Sequence, residues 1–554
     1  MKSPVSRRHF IKTTTLALAG VGIAVGCSVR NRFDVIIKNG QVLDGTGAAP
    51  QSFDVGIVGQ KIAAIGDLQS ASGDVVIDAA DHFISPGFID IHTHTDVELL
   101  VNPKAESKIR QGVTTEVSGN CGSSPFPLSE TDRGAMEKRL MEKYGIEVPW
   151  TEIDGFLSAI QSAKPALNYA TFTGHGDLRA YVVGKNDVPA TEEQLAEMQR
   201  LLGITMEKGS LGLSTGLEYA PGSYADTDEL IALNKVVAKN EGVYATHMRN
   251  EDDTVEEAIA EAVKICEETG VSLQISHLKV CNKANWDKID RVLAMVSKAA
   301  ETLPVHADRY PYTAYGTGLT AFLPLWSRQG DTEDLINRLK DPADLPKIRA
   351  YAEGRGTRIG GWDRVVISSC NKEHNKGFEG NSVSACASSS NMDEFEFIRT
   401  LLIDENARVS IVGFAMNEEN LKKVLAHPLV MIGSDGNAVA PYGKLGTGKP
   451  HPRYYGTFPR VIGKYARDEG VYSIQEAVKH MTSLPAKKLG LTGRGTITEG
   501  NFADIVVFNP NKIIDNATFT EPHRYPTGIP HVLVNGKITV ENGEHTGQGA
   551  GRVL

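Results

Sequence analysis

The chain has 554 residues, of which 41% are hydrophobic and 7% aromatic, and its formal net charge is −10 at pH 7. A chain of this length can bury a large core and is expected to contain more than one domain. Because acidic residues outnumber basic ones by 68 to 58, no general positive field attracts a polyanion, and a nucleic-acid partner is excluded.

The first 27 residues have the pattern of an export signal. Two arginines in "SRRHFIK" precede an uncharged run over residues 13–26, and this arrangement resembles a twin-arginine signal. The run has about 14 residues, fewer than the roughly 20 that a membrane-spanning helix needs. It ends in "AVGC" at Cys27, which resembles a lipoprotein cleavage site with Ala24 in place of the more usual leucine.

These features predict a signal over residues 1–27 that is read by the twin-arginine export machinery, and a periplasmic or exported location. If Cys27 is lipidated, the protein contacts a membrane through that anchor alone. The sequence leaves the lipidation open.

Both ends of the remaining chain are rich in predicted strands. Residues 33–66 alternate short β-branched runs with Asn-Gly and other glycine-containing turns, a pattern typical of β-hairpins. Residues 495–542 repeat this pattern. Because the two segments flank a different middle region, we predict one small β-sandwich domain, built from residues 31–82 and 495–546.

The middle region, residues 83–494, alternates apolar strands with helical patterns, the order expected of parallel βα units. Eight strands are predicted, at residues 88–91, 113–117, 167–172, 210–214, 243–246, 271–275, 305–307 and 430–433. Eight such units predict an α/β fold of the (β/α)₈ TIM-barrel type. The stretch from about 320 to 428 also contains "RVVISSC" and "ARVSIVGF", and we interpret it as an elaborated region after the seventh strand.

Polar side chains of one chemical kind follow several of these strands. Residues just past the carboxyl ends of barrel strands share one rim, where chemistry is expected. The residues in such positions are His92, His94, Cys121, His247, His277 and Asp435. Imidazole, thiolate and carboxylate are the ligands that zinc takes. The sequence therefore predicts a zinc site at this rim, and six ligands exceed one tetrahedral shell, so a second metal has room.

Several motifs together resemble a known family. The stretches "PGFIDIHTHTD", "GNCG", "HMRNE", "ISHLK", "ADRYPYTA" and "HPRYYGTFPRV" are similar to the amidohydrolase superfamily, in its N-acyl-D-amino-acid deacylase (D-aminoacylase) branch. The resemblance covers nearly all of the chain beyond the signal. Most amidohydrolases bridge two metals with a carboxylated lysine, whereas the D-aminoacylase branch uses a cysteine after the second strand, which makes Cys121 the diagnostic residue.

The resemblance implies a role for each candidate residue. It implies one tightly bound zinc at Cys121, His247 and His277, and a second, weaker or optional site at His92 and His94 with Cys121 shared. It makes Asp435 the general base, near or on the metal. The residues that match those holding the substrate's α-carboxylate are Lys279, Tyr310 and Arg453. The substrate would be an N-acyl-D-amino acid, or a dipeptide ending in a D-residue, cleaved at its amide bond by metal-activated water.

Two other functions remain open. An amidohydrolase of cyclic amides, such as a dihydroorotase or hydantoinase, would share the "HTH" strand and the late aspartate, but is expected to carry a lysine bridge in place of "GNCG". A catalytically silent metal-binding lipoprotein is expected to lack Asp435, which is present. The preferred side chain and acyl group, the number of metals in the active form and the oligomeric state are not determined by the sequence.

Overall fold

The computed structural model describes residues 32–554. The predicted signal over residues 1–27, with Cys27, lies outside the described residues. The centre of the structure is a barrel of eight parallel strands, each within two residues of a predicted one at its start: Phe88–Asp90, Val113–Ser118, Asn168–Thr171, Gly212–Gly216, Val243–His247, Ser272–Ile275, Val305–Arg309 and Val430–Ile432. A short strand, Thr173–Gly174, extends the third and pairs with the fourth.

The barrel closes between its first and eighth strands. Thr93 and Gly436 form a parallel bridge there, and the His94 amide donates to the Gly436 carbonyl at 3.2 Å. Both faces of the strands are covered, one by the barrel interior and one by helices, which explains why all five residues of Val243–His247 are buried. The predicted (β/α)₈ barrel is therefore confirmed.

Helices surround the barrel and are amphipathic towards it. Those before the seventh strand are Glu98–Val101, Glu106–Ile109, Glu130–Tyr144, Ile153–Ser162, His175–Val182, Glu192–Glu207, Thr227–Lys239, Val255–Thr269 and Ile289–Ala300. Arg453–Arg460, Ile474–Met481 and Ser483–Lys488 follow the eighth, with a π-helical segment over Val461–Asp468. Side chains cap several of the helices, as when Ser129 accepts from the Asp132 amide and Asp226 from the Glu229 amide.

The elaborated region after the seventh strand folds into a unit with its own core. Its strands Tyr315–Gly318, Val365–Ser369 and Ser410–Gly413 form an antiparallel sheet, and the two apolar runs noticed in the sequence supply the second and third of them. The helices Thr332–Lys340, Leu345–Ile359, Val383–Ser389, Glu394–Asp404 and Glu418–Leu425 belong to the same region. Its apolar cluster includes Phe322, Ile367 and Leu402.

Strands from both ends of the described chain form two further sheets. One contains Lys61–Gly66, Asp54–Val58, Arg32–Lys38 and Ser72–Asp78 in that order. The other runs Glu544–His545, Lys537–Glu541, His531–Val534, Ile505–Phe508, Phe83–Pro86, Gln41–Val42 and Gln51–Ser52. Ile84, Ile505 and Leu533 share one apolar cluster.

The strand Phe83–Pro86 corrects one predicted boundary. The sequence pattern predicts that the barrel domain begins at residue 83, but this strand pairs antiparallel with Ile505–Phe508 in the terminal β-sheet. The physical reason is the burial of Ile84, which packs into the apolar cluster of that sheet. The other domain limits stay predictions.

The described residues contain five cysteines, at positions 121, 266, 281, 370 and 386, and all of them are free thiols. A helix with the length and apolar composition needed to cross a bilayer does not occur between residues 32 and 554.

Candidate active site

The six predicted metal-site residues converge at the carboxyl ends of the barrel strands. His247 is the last residue of the fifth strand, and the other five lie two to four residues beyond the ends of their own strands. Two groups of three could each hold an ion: His92, His94 and Cys121 form one, and Cys121, His247 and His277 form the other. Within each group the donor atoms lie within 4.8 Å of one another, and Cys121 belongs to both.

The distances between the donor atoms fit tetrahedral coordination. Bond lengths of about 2.0 Å to nitrogen and 2.3 Å to sulfur give tetrahedral edges of roughly 3.3 Å between nitrogens and 3.6 Å between nitrogen and sulfur. His247 Nδ1 lies 3.0 Å from His277 Nε2, and Cys121 Sγ lies 3.5 Å from His277 Nε2 and 3.4 Å from His92 Nε2. The residues present therefore fit a transition metal such as zinc.

Three residues of the cluster have left-handed backbone conformations. The φ angles are +51° at Cys121, +36° at His277 and +50° at Asp435. Such angles cost a residue with a side chain about 1 to 3 kcal/mol and are concentrated at functional sites. Buried hydrogen bonds hold two of them: the Asp435 amide donates to the His92 carbonyl and the His277 amide to Asp308 Oδ1, both at 2.8 Å.

Negative charge is concentrated around the imidazoles. Burial raises the pKa of the Cys121 thiol, but the neighbouring His92 and His277 have a larger opposite effect. The net pKa of the thiol lies well below its ordinary value. Burial lowers the pKa of His247, whereas Glu251 and Cys121 raise it, with a net value of about 10. A thiolate at Cys121, with Glu251 near His247, gives the cluster a negative charge that suits a bound cation.

Two of the imidazoles have carboxylate partners on the ring nitrogen opposite the cluster. His92 Nδ1 lies 3.2 Å from Asp308 Oδ1, and His277 Nδ1 lies 2.9 Å from Glu251 Oε1. Such partners select the tautomer and the orientation of a ligating histidine. The partners make Nε2 the ring nitrogen of both residues that faces Cys121.

Glu251 also contacts a predicted substrate-binding residue, and sequence reasoning missed it. The Lys279 ammonium donates to Glu251 Oε1 at 2.5 Å. Both side chains are buried, as is His277. The position of Glu251 in "HMRNE", four residues after His247, was the available signal. The pair raises the pKa of Lys279 against the opposing effect of burial, and Lys279 in turn lowers that of Glu251.

Asp435 lies between the predicted metal ligands and Arg453, the second predicted substrate-binding cation. Its Oδ1 lies 3.0 Å from His94 Nε2 and 3.7 Å from His92 Nε2, and its Oδ2 lies 2.9 Å from Arg453 Nη1. Burial opposes ionisation of Asp435, but Arg453 and His94 outweigh it and hold its pKa well below the ordinary value. The carboxylate is ionised at neutral pH.

Tyr310 lies under the guanidinium of Arg453. The Arg453 Cζ atom is 4.6 Å from the centre of the tyrosine ring, and both side chains are buried. The Tyr310 hydroxyl and the Arg453 Nε are buried without a hydrogen-bond partner among the described residues. Unpaired buried polar atoms indicate a place where a ligand completes the hydrogen bonding.

A buried lysine behind the rim binds the residues on both sides of Asp435, and no sequence motif distinguishes it. Lys108 Nζ donates to Asp90 Oδ2 at 2.9 Å, to Ser434 Oγ at 2.5 Å and to the Gly436 carbonyl at 3.0 Å. The Ser434 amide donates to the other oxygen of Asp90 at 2.8 Å. All three ammonium hydrogens are used, which fixes the turn that carries Asp435.

These groups open into a cavity of about 420 Å³ beneath the elaborated region. The barrel contributes His94, Cys121, His247, His277 and Asp435, and the elaborated region contributes residues such as Tyr315, Arg355 and Ile411. Lys279 and Arg453 also line it. A cavity of this size, with reactive groups at its base, suits a small molecule.

Comparison with known proteins agrees with this fold. A model of the amidohydrolase family matches residues 75–304 and 383–540. A D-aminoacylase of Alcaligenes xylosoxydans xylosoxydans is 34% identical over 94% of this chain and 97% of its own. Among solved structures, a D-aminoacylase with a binuclear metal centre is 35% identical, with a TM-score of 0.79, over 94% of this chain and 99% of the other.

A second solved structure is an N-acyl-D-glutamate deacylase from Bordetella bronchiseptica, complexed with zinc and a phosphonate that mimics the tetrahedral intermediate. It is 31% identical, with a TM-score of 0.80, over 94% of this chain and 99% of the other. A metal-binding barrel with a cysteine shared between two ligand groups defines a class of metal-dependent hydrolase. The chain belongs to the amidohydrolase family, within its D-aminoacylase branch.

Proposed function

We propose that the protein is a zinc-dependent deacylase that removes the acyl group from N-acyl-D-amino acids or cleaves dipeptides with a C-terminal D-residue. The observation that carries this proposal is the donor cluster at the barrel rim, in which Cys121 belongs to two groups of possible metal ligands, one with His92 and His94 and one with His247 and His277. Asp435 lies beside His92 and His94. The names of the similar proteins, a D-aminoacylase and an N-acyl-D-glutamate deacylase, support the substrate class.

Cys121, His247 and His277 would hold one zinc tightly, and His92 and His94, with Cys121 shared, would hold a second when it is present. When bound, zinc lowers the pKa of water to about 7 and polarises the carbonyl under attack. Asp435 accepts the proton of the attacking water and returns it to the amine nitrogen, which leaves poorly without it. Its position beside His92 and His94 supports this role.

Lys279, Tyr310 and Arg453 would hold the α-carboxylate of the substrate. The unpaired Tyr310 hydroxyl and Arg453 Nε offer it two hydrogen bonds, and the two cations offer charge. A guanidinium can grip a carboxylate with two parallel hydrogen bonds in a site shielded from water. A linear substrate with a free carboxylate fits this arrangement.

A substrate panel tests the proposal. Purified zinc-loaded protein is assayed with N-acetyl-D-amino acids, their L-enantiomers, D-configured dipeptides, dihydroorotate and hydantoins. We expect hydrolysis of the linear D-substrates, loss of turnover with a chelator and recovery with zinc. Turnover of the cyclic amides alone would replace the proposal with the cyclic-amide function, and no turnover with metal bound would favour a silent metal-binding protein.

We further propose that the chain is exported through the twin-arginine machinery and anchored at Cys27. The supporting observations are the sequence pattern of residues 1–27 and the lipoprotein-like cleavage site. Fractionation of cells expressing the wild type, Arg8→Lys and Cys27→Ala tests both parts. We expect Arg8→Lys to stay in the cytoplasm and Cys27→Ala to be released from the membrane fraction, and a cytoplasmic wild type would refute the export.

A further inference from the structure

A second cavity, of about 440 Å³, adjoins the active-site cavity. The two share four lining residues, Ser368, Ser410, Asn437 and Tyr454. The side-chain Nδ2 of Asn437 donates to the His94 carbonyl at 2.9 Å and to Glu98 Oε1 at 2.8 Å. The shared wall therefore lies directly beside a predicted metal ligand. The two cavities are therefore neighbours on either side of this wall, and a ligand that passes it would reach the second cavity from the active site.

The walls of the second cavity carry positive charge that is not balanced. Lys143, Lys376 and Lys444 line it. Lys376 pairs with Glu379 at 2.9 Å, but among residues 32–554 neither Lys143 nor Lys444 has a carboxylate partner. The one acidic residue of the lining, Glu98, is hydrogen-bonded to Asn437, and burial raises its pKa.

Further cations lie close to these lysines. Burial lowers the pKa of Lys143 and Glu98 opposes this, while the like charges of Arg139, Lys376 and Arg408 lower it further. A Cβ atom placed on Gly145 would lie 3.1 Å from Lys444 Nζ, which puts that ammonium at the end of the helix that carries Lys143. The lining of this cavity has three lysines against one glutamate, and this local excess of positive charge favours an anion in a chain whose net charge is −10.

We propose that this lysine-lined cavity is an anion subsite that binds a second carboxylate of the substrate, in addition to its α-carboxylate. The inference rests on the proposed deacylase function and narrows it to substrates with two acidic groups. The second carboxylate belongs either to the acyl group or to the side chain of the D-residue. Since Lys143 and Lys444 lie at the protein surface, each is expected to contribute modestly.

Three ligands separate these sources: N-acetyl-D-alanine has one carboxylate, N-acetyl-D-glutamate has a second on its side chain, and N-succinyl-D-alanine has a second on its acyl group. Their binding is measured by calorimetry on zinc-loaded protein carrying Asp435→Asn, which is expected to slow turnover by about 10²- to 10⁴-fold. The test variants add Lys143→Met, Lys444→Met or both. The matched control is Lys138→Met, an exposed lysine on the same helix.

We expect each lysine substitution to weaken binding of one dianionic ligand by about two- to five-fold, with smaller effects at high salt. Binding of N-acetyl-D-alanine stays the same, and Lys138→Met changes nothing. The subsite is refuted if all three ligands respond alike or none responds. The proposed function fails separately, if the wild-type zinc enzyme hydrolyses none of the three compounds.

Discussion

At the scale of single residues, both cations predicted to bind the substrate already have carboxylate partners. Lys279 contacts Glu251 and Arg453 contacts Asp435. Because each of those carboxylates also contacts a histidine of the metal cluster, the substrate-binding and metal-binding groups form one connected set. A substitution at either carboxylate is therefore expected to affect both functions.

Replacing Glu251 with glutamine is expected to weaken zinc binding by about 10- to 100-fold, because the His277 ring loses the charged partner that fixes its tautomer. The measurement is competition with a chromogenic chelator on the purified holoenzyme. Asp253→Asn is the matched control, an exposed carboxylate two residues away that meets Arg358 and Asn285. Equal zinc affinity in wild type and Glu251→Gln would contradict the role.

Replacing Asp435 with asparagine is expected to lower kcat by about 10²- to 10⁴-fold, the range that general acid–base catalysis contributes. The side chain keeps its size but no longer accepts the proton of water. Hydrolysis of an N-acetyl-D-amino acid is measured together with zinc content and thermal unfolding, which identify a loss due to metal or folding. Unchanged turnover with zinc retained would remove Asp435 as the base.

At the scale of secondary-structure elements, the two ends of the barrel strands have different roles. The predicted metal ligands lie at the carboxyl ends. Groups with a structural role lie at the amino ends, such as Lys488, the last residue of the helix Ser483–Lys488. Lys488 Nζ donates to Ser272 Oγ, to the Leu273 carbonyl and to the Pro304 carbonyl, at 2.8, 2.6 and 2.9 Å. Its buried ammonium has no carboxylate partner among residues 32–554, and burial lowers its pKa to about 7.

This lysine makes stability depend on pH. Between pH 7 and 10.5 the unfolded chain binds a proton at Lys488 that the folded chain has released, so its contribution to the free energy of unfolding rises with pH across this window. Below pH 7 both states are protonated and the full cost of burying the charge applies. The free energy of unfolding of Lys488→Met, measured relative to wild type, is therefore expected to be more favourable at pH 6 than at pH 9.5.

Urea unfolding at the two pH values measures this difference. Lys487→Met, at the exposed neighbouring position, serves as the control and should show the same difference from wild type at both pH values. Because the methionine also loses three hydrogen bonds, the change with pH carries the information and the absolute stability does not. A pH-independent difference for Lys488→Met would show that the lysine keeps its ordinary pKa.

At the scale of the whole molecule, strands from the two ends of the described chain complete one sheet. The strand Ile505–Phe508 pairs with Phe83–Pro86, immediately before the first barrel strand. Removing residues 495–554 would leave one edge of Phe83–Pro86 unpaired, with only Gln41–Val42 on its other side, and would expose apolar side chains such as Ile84 and Val35. Exposed strand edges and apolar surface promote aggregation.

We therefore expect a chain that ends at residue 494 to be insoluble. The soluble fraction after expression is the measurement. A chain that ends at residue 547 is the control, because it keeps every strand of the sheet. It loses only the terminal segment, in which Val553 forms a parallel bridge with Tyr169. A soluble, cooperatively unfolding 1–494 chain would show that the barrel does not depend on the C-terminal strands.

The sequence by itself determined the eight barrel strands and the set of donor residues. Each apolar run predicts its strand locally, and His92 and His94 share a face because they are two residues apart in an extended segment. The barrel then requires that the ends of the strands meet at one rim, so the convergence of Cys121, His247 and His277 followed from the fold class alone.

Only the tertiary structure decided which charges pair. Lys108 meets Ser434 and Gly436 more than 300 residues away, and the second, lysine-lined cavity forms where the elaborated region covers the loop that follows the eighth strand. Such contacts depend on the paths of long connections, which hydrophobic periodicity does not encode. A carboxylate or a lysine looks the same in the sequence whether it is solvated at the surface or buried against a partner, because burial and pairing arise only when distant segments pack together.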